Sequence, residues 1–295
     1  MPKYISVTID PKEHPTAKNY GYLVGAIGPR PIAFASTVDA QGNPNLSPYS
    51  FFNVFSANPP VVIFSPVRRV QDNSVKDTLK NIEETGEVVI NIVNYAMVQQ
   101  MSLSSASYDR GVDEFVKSGF TKVPSETVKP FRVEESPASF ECRLREIVSL
   151  GEEGGAGNLV ICEVTRMHFS EDILQDGKID QRKIDQVARM GGNWYTRAAP
   201  GMFEVPKPTQ EVGVGVDQIP ENIKHSQILT GNDLGKLGTA PTLPNEDAIE
   251  AFMAANSELY KLVSAMDENR LHRKAQELLH DDKVAEAWKL LLAKK

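Results

Sequence analysis

A chain of 295 residues with 41% hydrophobic content can bury a sizeable core, in one large domain or two modest ones. Its formal net charge of −7 offers no basic field to a phosphate backbone, which argues against nucleic acid as a partner. No apolar run approaches the roughly 18 residues that span a bilayer, and "MPKYISVTID" lacks the basic-then-apolar opening of a signal peptide, so the expectation is a cytoplasmic protein without a membrane partner.

Over residues 20–195, short alternating runs are broken by Gly, Pro and Asn, the pattern of a β-rich fold. "PIAFASTVD", "PNLSPYSFFNVFS", "PPVVIFSP", "EVVINIVN", "ASFECRLREIVSL" and "NLVICEVTRMHFS" read as strands. "DAQGNP" supplies turn residues for a hairpin between the first pair, and "GEEGGAGN" a longer glycine loop between the last pair. The main helical insertion is "SVKDTLKNIEETG", where Ser74 can cap the start, Leu79 and Ile82 share a face and Gly86 ends the last turn. Residues 97–119 read as a second polar helix with a loop, too polar for an interior strand. Many strands with one main helix predict a mainly β fold, an antiparallel barrel with short helical insertions, rather than a doubly wound sheet.

Cys142 and Cys162 fall inside strand-like runs and read as reduced core residues. The five histidines are scattered without ligand spacing, so no protein metal site is expected. Beyond residue 195 the chain turns to Pro- and Gly-containing coil. Residues 201–244 read as an extended arm or linker and 245–295 as a helical tail, which leaves the barrel domain in 1–200. In the tail, Glu246, Asp247 and Glu250 enrich a first turn, Phe252, Leu259 and Leu262 form a stripe, and lysines suit the end.

Two glycine-rich stretches carry no phosphate chemistry. "LTGNDLGKLGT" has one residue too few between its glycines, and Leu237 stands where Ser or Thr must reach magnesium. "GEEGGAGN" lies between two strands rather than between a strand and a helix.

The first strand pair is unusually hydroxylated: Ser36, Thr37, Ser47, Tyr49, Ser50 and Asn53 occupy positions where Val and Ile would pack better. Small and hydroxylated side chains on adjacent strands leave room for a flat ligand, although a polar strip facing water has the same composition. Pro31 and Pro48 each remove an N–H, which suits an edge or interrupted strand. Downstream, "VRRVQDNSVKDT" brings Arg68, Arg69 and Lys76, with Ser74 and Thr78, to the free amides of a helix start, a ready anion site. Asp77 opposes an anion there unless it turns to a lysine or to backbone, and a capped surface helix with ordinary charges is the other reading. A flat slot beside a phosphate cradle describes a phosphorylated planar cofactor of the shape of flavin mononucleotide (FMN).

"GPRPIAFASTVDAQGNPNLSPYSFFNVFSANPPVVIFSP", "KDTLKNIEETGEVVINIVN", "ESPASFEC" and "ARMGGNWY", in that order, resemble the flavin reductase-like FMN-binding split-barrel family, which includes flavoredoxin. The resemblance covers residues 20–195 and implies a split β-barrel homodimer with FMN near the interface. It implies that Phe34, Ala35, Ser36 and Thr37 line the isoalloxazine, and that Ser47, Tyr49, Ser50, Phe51, Phe52 and Asn53 wrap its pyrimidine edge and ribityl chain. Lys76, Asp77 and Thr78 match the family's "KDT" beside the phosphate. Arg30 matches its "RP" arginine, and Arg189, Gly191, Gly192 and Tyr195 match a closing motif near the cofactor; a salt bridge on the barrel rim is the plainer role for either arginine. The implied activity takes hydride from NAD(P)H, the small-molecule donor, and passes electrons to a flavin, a metal complex, oxygen or a redox partner. The cofactor carries the hard step, so no catalytic acid, base or nucleophile is expected. A pyridoxamine phosphate oxidase-like enzyme and a non-catalytic flavin sensor or store are the alternatives.

Overall fold

The computed structural model describes residues 5–207, 211–256, 263 and 266–293. The chain divides into two compact units, Thr8–Phe203 and a second made of Met1–Val7 with Glu204–Lys295. Among the described residues no helix is long and apolar enough to cross a membrane.

The first unit opens with helix α1 (Thr16–Ala26) and is built on strands β1 (Ala33–Val38), β2 (Pro44–Tyr49), β3 (Phe52–Ala57), β4 (Pro60–Phe64) and β5 (Glu87–Ile92), with helix α2 (Asp77–Thr85) between the last two. Helices α3 (Val98–Leu103) and α4 (Glu114–Ser118) follow, then the short paired strands β6 (Lys122–Val123) and β7 (Arg132–Val133). The long hairpin of β8 (Ala138–Ser149) and β9 (Asn158–Phe169) comes next, then the small hairpins β10 (Leu174–Gln175) with β11 (Lys178–Ile179) and β12 (Val187–Arg189) with β13 (Tyr195–Arg197). Seven strands form one antiparallel sheet in the order β2-β1-β5-β8-β9-β4-β3.

The chemistry of the turn fixes the β1–β2 hairpin. The Asp39 carboxylate accepts from the amides of Gln41 and Asn43 and from Asn43 Nδ2, while Gly42 takes φ +88°, so Ala33 pairs with Tyr49 and Val38 with Pro44. The run "PNLSPYSFFNVFS" is two strands rather than one. It breaks at Ser50 and Phe51, and its halves lie on opposite edges of the sheet. Laid flat, seven strands would separate those edges by roughly 29 Å, yet from Tyr49 to Phe52 the chain reaches at most about 11 Å. The sheet must therefore curl until its edges nearly meet. No ladder among the described residues joins β2 to β3, which leaves the barrel split. Register shifts at Glu141/Cys142 and Leu144/Glu146 in β8–β9 are bulges that bend the long strands into this curve.

Alternation along β1 feeds two cores. Ala33 and Ala35 face the barrel interior with Phe64, Leu79, Ile82, Val88, Ile90, Cys142 and Cys162. Phe34 faces outward under α3 and α4, with Leu46, Met97, Met101, Phe115 and Phe120. Both cysteines are buried and free. Helix α2 starts later than the sequence predicts. Its N-cap is Lys76, with no side-chain cap, because Ser74 is held two residues outside by Asp72 and Arg69. Gly86 at φ +70° ends it, and Leu79 and Ile82 pack into the barrel. Residues 97–119 form two short helices, α4 being capped by Asp113 and ended by Gly119 at φ +73°.

In the second unit, helices α5 (Glu221–Lys224), α6 (Gly231–Gly238), α7 (Glu246–Ala255), α8 (Glu268–His280) and α9 (Val284–Leu292) share one core around Ile223, Leu234, Leu237, Met253, Leu279 and Trp288. The stretch read as an extended arm thus carries two helices, because Thr230 and Asp233 close a capping box that starts α6 and Leu234 and Leu237 then share a buried side. Of the expected tail stripe, Phe252 packs at the edge of this core, while Leu259 and Leu262 lie outside the described residues.

Candidate functional site

Tyr49, the last residue of edge strand β2, stands where two features meet. Its ring packs on Phe64 at 5.4 Å. Its Oη is buried, with no partner at hydrogen-bonding distance and angle. Burial pushes the phenol up to about 12, against the pull of the nearby Thr78 and Ser47 hydroxyls.

On one side of Tyr49 lies the start of α2. Thr78, in the first turn, accepts from Asn45 Nδ2 at 3.1 Å. Lys76 is half-buried and makes no ion pair among the described residues; burial and then the Arg69 charge hold its ammonium below the usual lysine range. Arg69 donates to Ser74 Oγ at 2.7 Å. Two cations brought together beside an uncapped helix start form a cradle that an anion would relieve, although the Asp77 and Glu114 carboxylates partly offset the charge at Lys76. The Asp77 carboxylate itself turns to Lys80 at 3.4 Å and Arg110 at 3.8 Å. Glu114 is close by, with Oε2 accepting from the Leu46 amide at 3.0 Å and its pKa raised by burial. Arg68 is engaged with Asn73 and braces the loop.

On the other side a cleft of about 270 Å³ opens between Pro48, Tyr49 and Ser50 on one wall, Met101, Ser102 and Ser105 of the α3 region on another, and Arg189, Asn193 and Tyr195 of the β12–β13 hairpin on a third, with Ile32 at its base. The Arg189 guanidinium lies 4.6 Å over the Tyr195 ring and donates to Gly192 O. Arg189 thus presents a stacked, planar cation to the cleft.

These features bring together Ser47, Tyr49, Ser50, Lys76, Thr78 and Arg189 of the expected site. Phe51 lies next to them, its ring 6.2 Å from Tyr20 of α1. Phe52 packs at the edge of the barrel core, and Asn53 is exposed, its Oδ1 accepting from the Val54 amide. Phe34, Ala35, Ser36 and Thr37, expected to line the isoalloxazine, lie away from the cleft. β1 is hydrogen-bonded on both sides and covered on both faces, so all four side chains are fully buried. Thr37 Oγ1 accepts from Asn81 Nδ2 at 3.1 Å, and Phe34 meets Phe120 edge-on at 5.3 Å. The buried Arg30 guanidinium is not among the residues lining the cleft and makes no ion pair among the described residues; it donates to the carbonyls of Val24, Ile27 and Met190. The sequence reading missed Ile32, Met101, Ser102, Ser105 and Asn193, and no local pattern marks them. Among the described residues no group of three or more His, Cys, Asp and Glu could hold a metal ion.

The donor set fits a flat, hydroxyl-rich anion. The unpartnered Tyr49 Oη and Ser65 Oγ offer buried polar atoms, and the Ser65 amide ties to Phe51 O at 2.8 Å. Arg69, Lys76 and Thr78 offer positive charge and a hydroxyl.

Comparison with known proteins bears on the first unit. The Flavin reductase like domain matches residues 26–187. A protein of Halalkalibacterium halodurans is 35% identical over 203 residues, 68% of this chain and 96% of its own length. Among solved structures, nitrilotriacetate monooxygenase component B from Bacillus cereus superposes with a TM-score of 0.65 at 31% identity, over 69% of this chain and 100% of that one. A protein with a split barrel domain from Shewanella frigidimarina superposes with a TM-score of 0.58 at 26% identity, over 68% of this chain and 100% of its own.

Proposed function

The chain belongs to the flavin reductase-like family, and from that premise we propose that it is an FMN-dependent oxidoreductase that takes hydride from NAD(P)H and passes electrons to a flavin, a metal complex or a redox partner. The observation that carries this reading is the pairing of Arg69 and Lys76 beside Thr78 at the uncapped start of α2, with Asp77 turned away. Bound FMN would supply the two-electron chemistry. Arg69, Lys76 and Thr78 hold its phosphate, Tyr49 and Ser50 its polar edge and chain, and Arg189 on Tyr195 closes the cleft around the ring. Burial of Tyr49 keeps its phenol protonated at every working pH, so it acts as a donor and not as a base.

The homodimer implied by the resemblance, and the cytoplasmic location expected from the sequence, are part of the same proposal. Tyr20 and Leu23 of α1, Ile27 at its C-cap, and Val54 and Phe55 of edge strand β3 are exposed, and a second copy would cover such apolar surface. So is the division of labour: residues 1–200 carry the flavin chemistry and 201–295 are an appendage to it.

The test is an absorbance spectrum of the purified, FMN-reconstituted protein before and after NADH or NADPH under nitrogen. A yellow protein that bleaches supports the proposal, and one that stays yellow with both donors is a sensor or store. Oxidation of pyridoxamine phosphate would identify the other enzyme class.

A further inference from the structure

We propose that Arg30 is a positioning residue: its guanidinium clasps the C-terminal end of α1 to the β12–β13 hairpin, and so sets the wall of the cleft that carries Arg189, Asn193 and Tyr195. The Arg30 side chain is buried and donates through Nη1 to Val24 O at 2.7 Å and to Ile27 O, and through Nη2 to Met190 O at 2.9 Å. Val24 lies in the last turn of α1 and Ile27 is its C-cap, where a helix presents carbonyls without intrahelical donors and the negative end of its dipole. Met190 directly follows β12 and belongs to the hairpin turn, its amide donating to Trp194 O at 2.9 Å. One planar fork therefore joins α1 to a hairpin turn whose Met190 lies 160 residues beyond Arg30 in sequence.

The backbone makes the same junction. Arg30 N donates to Arg189 O at 2.9 Å and Arg189 N to Arg30 O at 2.8 Å, so the two arginines face each other across a bridge. Glycine lets the surfaces touch: a Cβ on Gly191 would stand 3.1 Å from Gly25 Cα, and one on Gly28 would stand 3.3 Å from Met190 Sδ. The seam leaves no slack for the hairpin. The Arg189 side chain takes no part in the clasp; its guanidinium is turned to Gly192 O and Tyr195 at the cleft. Arg30 thus places the cleft arginine without touching the ligand. A lysine would keep the charge and lose the fork, since a single ammonium cannot span carbonyls on both elements in one plane.

The inference rests on the flavin reading for its functional consequence but not for its structural one, and the experiment separates them. Amide hydrogen exchange over residues 186–198 and 20–30, without added ligand, is measured in the full chain for Arg30→Lys and Arg30→Ala, alongside FMN affinity by fluorescence quenching. In both variants, exchange in these segments is expected to speed at least tenfold and FMN affinity to fall about tenfold, while exchange in β8 and β9 stays as in the parent. Should Arg30→Ala fail to fold, Gly191→Ala opens the same seam with Arg30 intact and is expected to give the same pattern. Parent-like exchange and affinity in Arg30→Lys would overturn the fork. Faster exchange with unchanged FMN affinity would reduce Arg30 to a purely structural tie and overturn its positioning role. A parent protein that ignores FMN would sink the flavin reading alone, and the exchange data would still decide the clasp.

Discussion

Polar groups buried in the helical unit mostly answer one another, whereas several in the barrel unit answer nothing within the chain. In the helical unit Thr230 and Asp233 cap α6 reciprocally, Gln276 donates to Asp233 and to Ile228 O, and Trp288 Nε1 donates to Leu237 O at 2.9 Å. In the barrel unit the hydroxyls of Ser36, Tyr49 and Ser65 are buried without partners, and Lys76 and Arg69 share a half-buried corner. Unsatisfied buried polar groups are costly, so Tyr49 Oη, between the cleft and the cations at the start of α2, marks where a ligand would complete the structure, whereas Ser36 is sealed inside β1. Not every buried polar group in the barrel is open. Glu141 accepts from the Glu126 and Thr127 amides, from Thr127 Oγ1 and from His168, and braces β8 against β9 and the loop before β7.

Four changes would break or sharpen this contrast. The largest effect is expected from Trp288→Ala, which empties the helical core at the cost of about 3–5 kcal/mol. Circular dichroism during heating should show helix lost early, while FMN titration of the same protein should be unchanged. Loss of FMN uptake would contradict the division of labour. Glu141→Gln comes next, at about 2–3 kcal/mol, because it removes a charged acceptor from a buried network. The fold holds the Glu141 carboxyl down at about 2, chiefly through Thr127 and the Glu126 and Thr127 amides working against burial. Its contribution is therefore full above the ordinary value of 4.5 and is lost as pH falls towards 2, so denaturant midpoints should decline across that window in the parent and be flatter in the variant.

Lys76→Ala with Thr78→Ala should weaken FMN binding ten- to a hundredfold, about 1.4–2.7 kcal/mol, with little change in the melting midpoint. Unaltered affinity would remove the phosphate from α2. The smallest effect belongs to His272, the exception in the helical unit. Its Nδ1 meets Ser226 Oγ at 2.7 Å, its Nε2 is buried and unpartnered, and burial lowers its pKa against the pull of Glu268. Asp233 and His280, paired at 4.0 Å, are the other titratable groups near this network. Stability from neutral His272 is full above 6.5 and declines as pH falls below it, so the helical unit should loosen first in mild acid. The same pH dependence in His272→Gln would assign the effect elsewhere.

Much of this architecture is legible in the sequence. The strand runs and both hairpins follow from alternation and turn residues, whereas the start of α2 is read two residues early, because Ser74 is a cap by residue type but is held by Asp72 and Arg69. What is not legible depends on distant partners. Phe51 and Phe52 interrupt the alternation in "SPYSFFNVF", but a doubled aromatic residue is not turn chemistry, so no Gly, Pro or Asn at the break itself says that the chain changes edges at Ser50. Helix α1 exposes Tyr20, Tyr22 and Leu23 and buries only Val24, so it lacks an inward apolar stripe. Helix α6 hides in a stretch that reads as extended arm and as a failed phosphate loop, although Thr230 and Asp233 spell its cap. At the site, Met101, Ser102 and Ser105 reach the cleft only through the packing of α3, and Arg30 finds acceptors in main-chain carbonyls, which carry no residue signature.

The most direct measurement is a side-by-side titration of FMN and riboflavin, which differ by the phosphate alone, into the parent protein and the Lys76→Ala, Thr78→Ala variant. Binding of FMN at least tenfold tighter than riboflavin in the parent, with that preference erased in the variant, is the result expected of a phosphate seated on α2. Equal affinities in the parent, or an FMN preference that survives in the variant, would contradict it.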